Sequence, residues 1–540
     1  MPRNATGWRL RSRLAAGVVA AGALAGCTTA AGAGPAASTA AASGLVAQTH
    51  LGAVRGQAVG GFHEFLGIPY AAPPTGKLRW QAPEPPAHWK GVRSATKFAP
   101  HCPQSASPFG RASMSEDCLF LNVFTRPGGS RSGQPVMVWI HGGALVTGES
   151  DDYDPAALVR DGVTVVTINY RLGALGFLAD PALADGAGAS GNYGLMDQQA
   201  ALRWVKANIG RFGGDPGNVT VFGESAGGLS TLSQLVSPGA RGLFQRAIVE
   251  SGSYDLTQAP LAGAEAAGAA FAAKAGCATE PSPAATAACL RAVPVATVLA
   301  DQNAGGYTPD VDGRVLTQSI GTALQQGQFN RVPVVMGTNH DEWRLFVGLS
   351  RLEGGPVVTA ANYLGEIQGT VGASPAVAAQ IAARYPVTSF PSPAAALGAV
   401  GTDAIFACPS LKAVSSLSKF TPTFSYEFND ESAPERFLPG VGFPYGAAHA
   451  SEIQYLFGVA TQIPAALTPA QHRLAAQMTA YWTSQAKRGR PAAAGQAAWP
   501  QFTAATQPVL SLSTSGPAVE THFSAVHNCA FWAAIAAAGA

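Results

Sequence analysis

The stretch Phe222-Gly223-Glu224-Ser225-Ala226-Gly227-Gly228 constrains this chain most, because it follows the apolar run Val219 to Phe222 and precedes a helix-like segment. Glycines two positions either side of Ser225 let the backbone bend where a Cβ would clash, so a strand can pass directly into a helix with the serine at the elbow. The hydroxyl then projects outward at the sheet edge. An isolated Gly-x-Ser-x-Gly is also an ordinary glycine-rich turn. Here Phe212-Gly213-Gly214-Asp215-Pro216-Gly217-Asn218 supplies the turn chemistry that precedes a buried strand, and Val219, Val221 and Phe222 supply the strand.

Other apolar runs read as strands: Val136 to Ile140, Val163 to Ile168, Ala247 to Val249, Val332 to Met336 and Phe424 to Phe428. Most are too continuous for a half-exposed sheet. Separated by helical patterns such as Leu195 to Ile209, they predict a largely parallel sheet covered on both faces. A chain of 540 residues, 47% hydrophobic and only 12% charged, can bury a core of that size. The length beyond a single three-layer core is expected as insertions on the loop side, in the Ala- and Pro-rich stretches 255–330 and 350–420. Residues 45–540 therefore read as one large domain with cap-like insertions.

The formal charge is +2, and no basic run interleaved with aromatics tracks a phosphate backbone, which argues against nucleic acid as a partner. Arg3, Arg9, Arg11 and Arg13 followed by the apolar Leu14 to Ala25 have the order of a secretory signal, too short to span a bilayer. Residues 1–26 are read as that signal and 27–44 as a flexible spacer. Leu24-Ala25-Gly26-Cys27 resembles a bacterial lipoprotein cleavage box, which predicts lipid on Cys27 and a protein tethered outside the membrane. Cleavage after Ala25, giving a freely secreted protein, is the alternative. Cys27 aside, six cysteines remain, an even number suited to disulfides in an exported protein. Cys102 with Cys118 and Cys277 with Cys289 are sequence neighbours, which leaves Cys408 with Cys529, although spacing alone does not choose among the pairings. A metal site is the rival reading of these cysteines, and no CxxC pair or adjacent histidine supports it.

A serine hydroxyl needs a base to remove its proton, and a histidine base needs an acid to fix its tautomer. Of the ten histidines, His472 follows Thr468-Pro469 at a helix start and reads as solvated, while His522 and His527 lie beside Cys529 near the C-terminus. His449 lies on the glycine-bearing loop Tyr445-Gly446-Ala447-Ala448-His449 and is the candidate base, a plain loop histidine being the alternative. For the acid, the strand Val332 to Met336 runs into Gly337-Thr338-Asn339-His340-Asp341-Glu342, and spacing does not decide between Asp341 and Glu342. Ile140-His141-Gly142-Gly143-Ala144 matches the loop type whose amides hold an oxyanion, with Gly143, Ala144 and Ala226 as donors.

Together these pieces resemble the type B carboxylesterase family, which includes the cholinesterases, across essentially the whole mature chain. The resemblance rests on Glu116-Asp117-Cys118-Leu119-Phe120-Leu121-Asn122-Val123, His141-Gly142-Gly143, Asn169-Tyr170-Arg171-Leu172, Phe212-Gly213-Gly214 leading into Gly223-Glu224-Ser225-Ala226-Gly227, Gly337 to Glu342, and His449-Ala450-Ser451-Glu452-Ile453. It implies an α/β-hydrolase fold, a mostly parallel central sheet flanked by helices, with Glu342 as the acid and His449 as the base beside Ser225. It also implies the bonds Cys102–Cys118, Cys277–Cys289 and Cys408–Cys529.

The expected activity is hydrolysis of small to medium, largely uncharged carboxylic esters through an acyl-enzyme, with no cofactor or metal. Rates should rise as a histidine of ordinary pKa, about 6.5, loses its proton. Three departures from the family pattern bear on the pocket. Ala144 and Leu145 stand where many relatives have Gly and Phe, Trp343 replaces a usual glycine, and the loop from Cys102 to Cys118 has no tryptophan on which to stack choline. A non-catalytic surface binding or adhesion protein on this fold, or a serine peptidase, are the alternatives.

Overall fold

A computed structural model of the chain describes residues 45–127, 133–302, 306–460 and 463–538. The signal, the spacer and Cys27 lie outside the described residues. The centre is a sheet of eleven strands. Its middle runs in the order Val509–Leu512, Thr423–Phe428, Val334–Asn339, Arg246–Glu250, Gly214–Glu224, Gln134–Ile140 and Thr164–Ile168, and every neighbouring pair there is parallel. Antiparallel strands close both edges, Ala518–Glu520 at one and Phe120–Thr125, Phe62–Pro69 and Gln57–Val59 at the other. All the strands anticipated from apolar runs lie in this sheet, with ends shifted by a few residues: Val163 and Val332 fall outside their strands, and the strand ending at Glu224 begins at Gly214.

Both faces of the sheet are covered, which is why its strands carry apolar residues at consecutive positions. Val136, Val138, Val219, Val221, Ala247 and Val249 point to one side, where they meet Leu202 and Val205 of the helix Tyr193–Asn208 and Leu229 and Leu232 of the helix Ala226–Val236. Met137, Trp139, Phe222, Ile248 and Val335 point to the other and pack with Met478, Tyr481 and Trp482 of the helix Pro469–Arg488. That last helix is set by its ends. Thr468 and Gln471 form a capping box, Pro469 occupies the first turn, and Gly489 closes it with φ 72°. His472 is exposed on it.

The two longest insertions leave the sheet after Arg246–Glu250 and after Val334–Asn339 and are helical. In the second, the helix Pro393–Gly401 passes through a π-helical turn, Thr402–Ala407, into the helix Cys408–Leu417. Such turns are costly and rare within helices. This one carries Asp403 and Phe406, both buried. Disulfides join Cys102 to Cys118, Cys277 to Cys289 and Cys408 to Cys529.

Candidate active site

The strand Gly214–Glu224 and the helix Ala226–Val236 meet at Ser225, which has φ 55° and ψ −120°. Few side-chain-bearing residues adopt that conformation, and the strain is of the order of 1–3 kcal/mol. Surrounding bonds impose it: the Ser225 amide donates to Glu250 O at 2.9 Å, and its carbonyl accepts from the Leu229 amide at 2.9 Å. Gly227 has no room for a Cβ, which would stand 1.9 Å from Ile140 O. The motif's glycines therefore allow helix and neighbouring strand to touch, and Ser225 is left partly exposed.

The strand Gln134–Ile140 ends beside this elbow. His141 is buried and stacked on Tyr170 at 4.5 Å, and burial lowers its pKa to about 4, so it serves as a neutral wedge. Gly143, Ala144 and Leu145 follow with φ of 97°, 54° and 62°. Gly143 O accepts from the amides of Val146 and Thr147, both at 3.0 Å, and this fixes the turn. Among the described residues the amides of Gly143 and Ala144 have no acceptor, as an oxyanion site requires. Ala226 is the first residue of its helix, where N–H groups lack intrahelical partners.

The strand Val334–Asn339 delivers the two acids. Glu342 Oε1 accepts from Thr338 Oγ1 at 2.6 Å and from the Asn339 amide at 2.8 Å, which leaves Oε2 at 2.6 Å from His449 Nδ1. Asp341 turns away, pairing with Arg344 Nη2 at 2.8 Å and accepting from the Ala447 amide at 3.0 Å. Spacing leaves this choice open, and in the structure the two side chains have different partners, with only Glu342 in contact with His449. Trp343 packs flat over Gly401 and against Phe346, so the missing glycine at 343 is matched by one on the facing helix.

His449 is 4% exposed, and its ring packs against the neighbouring pair Phe346 and Phe406, with centroids at 5.1 and 5.0 Å. Its Nε2 is 3.2 Å from Glu224 Oε1. Ser225 Oγ is adjacent in the chain but makes no hydrogen bond to that nitrogen. Catalytic contacts of this kind commonly tighten only with substrate bound. Burial disfavours the imidazolium, yet Glu224 and Glu342 outweigh it and raise the His449 pKa to about 9, well above the ordinary value expected from sequence.

Two further carboxylates, Glu224 and Glu452, act on this histidine and stand in the sequence only as motif letters, and Glu250 lies beside Glu452. Glu224 has its pKa raised by burial and by Glu452, Glu342 and Glu250, against the pull of His449. Burial and Glu342 raise Glu452 to about 7, and burial and Glu452 raise Glu250 to about 8. Asn339 Nδ2 donates to Glu452 Oε2 at 2.5 Å and to Ala448 O at 2.8 Å, tying the acid strand to the histidine loop. A cavity of about 40 Å³ lined by Gly142, Gly143, Asp152, Tyr153, Glu224 and Phe437 adjoins the site. Phe109, from the Cys102–Cys118 loop, meets Phe437 at 5.3 Å in the region where that loop lacks a tryptophan.

A family model described as "Carboxylesterase family" matches residues 43–532. The chain is 35% identical to a fumonisin B1 esterase of Sphingopyxis macrogoltabida over 84% of each chain. It is 35% identical to a para-nitrobenzyl esterase of Bacillus subtilis, covering 86% of this chain and 94% of that one. With a cocaine esterase of Homo sapiens it shares 34% identity over 90% of each.

Proposed function

Since the chain belongs to the carboxylesterase family and is a carboxylic ester hydrolase, we propose that it acts through Ser225, His449 and Glu342 by way of an acyl-enzyme. His449 Nε2 takes the Ser225 proton as Oγ attacks the ester carbonyl. Glu342 holds Nδ1–H and with it the reactive tautomer. The tetrahedral oxyanion lies on the amides of Gly143, Ala144 and Ala226. Protonated His449 then gives its proton to the departing alkoxide, and a water activated by the same ring releases the acid.

The observation that carries this reading is the 2.6 Å contact between His449 Nδ1 and Glu342 Oε2, with His449 Nε2 3.2 Å from Glu224, the residue that precedes Ser225 at the elbow. Preferred substrates are small to medium uncharged esters. Phe346 and Phe406 offer apolar walls, and among the described residues the adjoining cavity, lined by Glu224 and Asp152, presents no lysine or arginine to an anionic acyl or alcohol group. Export belongs to the same proposal: three disulfides suit an oxidising compartment, with Cys27 as the lipid anchor after the signal 1–26. A fluorophosphonate probe should label Ser225, and Ser225→Ala should lower kcat on p-nitrophenyl acetate by ~10⁴-fold or more. Near-native turnover by that variant would overturn the mechanism.

A further inference from the structure

A second cluster of chemically competent side chains begins at His340, on the loop that carries the acid Glu342. His340 Nδ1 and His527 Nε2 both contact Glu427 Oε1, at 2.9 and 2.6 Å, and the three atoms lie within 4.8 Å of one another. They come from the acid loop, the sheet strand Thr423–Phe428 and the segment before Cys529. We propose that His340 Nδ1, Glu427 Oε1 and His527 Nε2 form a binding site for one divalent first-row metal ion of the zinc type.

The surrounding contacts leave these three atoms as the available donors. His527 Nδ1 is 2.6 Å from Asp403 Oδ1, so with its proton on that side the ring offers the Nε2 lone pair, the arrangement of a histidine ligand oriented by a carboxylate. Asp403 is held in turn by the Tyr385 hydroxyl, which donates to Oδ2 at 2.6 Å. Asn429 Nδ2 donates to Glu427 Oε2 at 3.1 Å and leaves Oε1 for the ion. Two imidazoles and one carboxylate are a common ligand set for zinc with an open fourth position.

Charge points the same way. Asp403 and Glu427 are both buried, and among the described residues neither is paired with a lysine or arginine. Positive charge must therefore reside on the imidazoles or on a bound cation. Access differs among the ligands. The side chains of Glu427 and His527 are each 3% exposed, while His340 is 31% exposed, so an ion enters past His340 and completes its coordination with water from that side. Bonds of about 2.0–2.2 Å place tetrahedral donors roughly 3.3 Å apart, so the group must open by about half an ångström. The protons now shared with Glu427 Oε1 leave to buffer as the ion takes their place.

The test uses the full chain, stripped with a chelator and titrated with Zn²⁺ by calorimetry and with Co²⁺ by visible absorption. Wild type should take up one ion saturably and show the ligand-field bands of four- or five-coordinate Co²⁺. His340→Ala, which removes a half-buried ring and should leave the fold intact by circular dichroism, should abolish those bands. Asp403→Asn should loosen Zn²⁺ by about 10–100-fold, and His472→Ala should bind as wild type does. Absence of saturable uptake by wild type, or the same Co²⁺ spectrum and affinity in His340→Ala and Glu427→Gln as in wild type, would overturn the site. Because the readout is metal uptake, failure here is separable from failure of the Ser225 mechanism.

Discussion

The indole of Trp343 fills the space above Gly401 so completely that a Cβ at 401 would stand 2.1 Å from its Cγ. Trp343 follows Glu342 directly, and its amide donates to Thr402 Oγ1 at 3.0 Å, so the packing fixes the backbone on which the acid sits. Gly401→Ala should therefore displace the indole and cost about 1–3 kcal/mol of stability through overpacking. Turnover should fall with it, because Glu342 moves with the loop. Urea unfolding and kcat on p-nitrophenyl acetate check both, and an alanine that leaves both unchanged would mean the loop is held by other contacts.

Glu224 should set the pH range of the enzyme. The His449 pKa is raised to about 9, with Glu224 the largest favourable contribution, and the ring must be neutral to accept a proton from Ser225. Activity should therefore rise with pH toward about 9, and Glu224→Gln should move that limb down toward the ordinary histidine value of about 6.5. Stability runs the other way. A group whose folded pKa exceeds its unfolded value stabilises fully below the unfolded pKa, so this contribution is complete below about 6.5 and is lost as pH rises through the folded value. A pH–rate profile of wild type and Glu224→Gln tests the shift, and identical limbs would remove Glu224 from the account.

The central sheet was legible because a strand buried on both faces must be apolar at successive positions, as Val136 to Ile140 is. Short strands such as Val46–Gln48 and Ala53–Arg55, with few buried residues, carry no such signal and were not anticipated. At the site, Ser225 and the Gly143 loop could be read locally because their constraint is local backbone geometry. Glu250 and His527 could not. Glu250 lies in a continuous strand and matters through Trp482 Nε1, which donates to it at 2.9 Å from a distant helix, while His527 acquires partners only when the C-terminal segment docks on Asp403 and Glu427.

The two neighbouring acids should separate cleanly on substitution. Glu342→Gln keeps the shape of the side chain but removes the charge that fixes the His449 tautomer, and kcat should fall on the order of 10⁴-fold. Asp341→Asn loses an ion pair with Arg344 and should lower activity far less, because its carboxylate faces Arg344 and the Ala447 amide rather than the imidazole. Running the variants in parallel under one substrate decides the assignment. Comparable losses from both would mean that Asp341 contributes to the reaction through the loop it braces.

The Cys408–Cys529 bond should carry more stability than the other two. It spans a sequence separation of 121, against 16 and 12 for Cys102–Cys118 and Cys277–Cys289. Restricting so long a loop in the unfolded chain contributes about 4–5 kcal/mol by the loop-entropy argument, and the shorter loops about 3. The bond also joins the helix that follows the π-helical turn to the helix Cys529–Ala537, and so presses His527 onto Asp403 and Glu427. Cys408→Ala with Cys529→Ala should therefore lower the urea midpoint more than either other double replacement does. It should also loosen the Phe406 wall beside His449, which is carried on the same turn. A rise in KM accompanying the fall in stability would identify that coupling. An equal loss of stability from all three pairs would show that unfolded-state entropy does not dominate here.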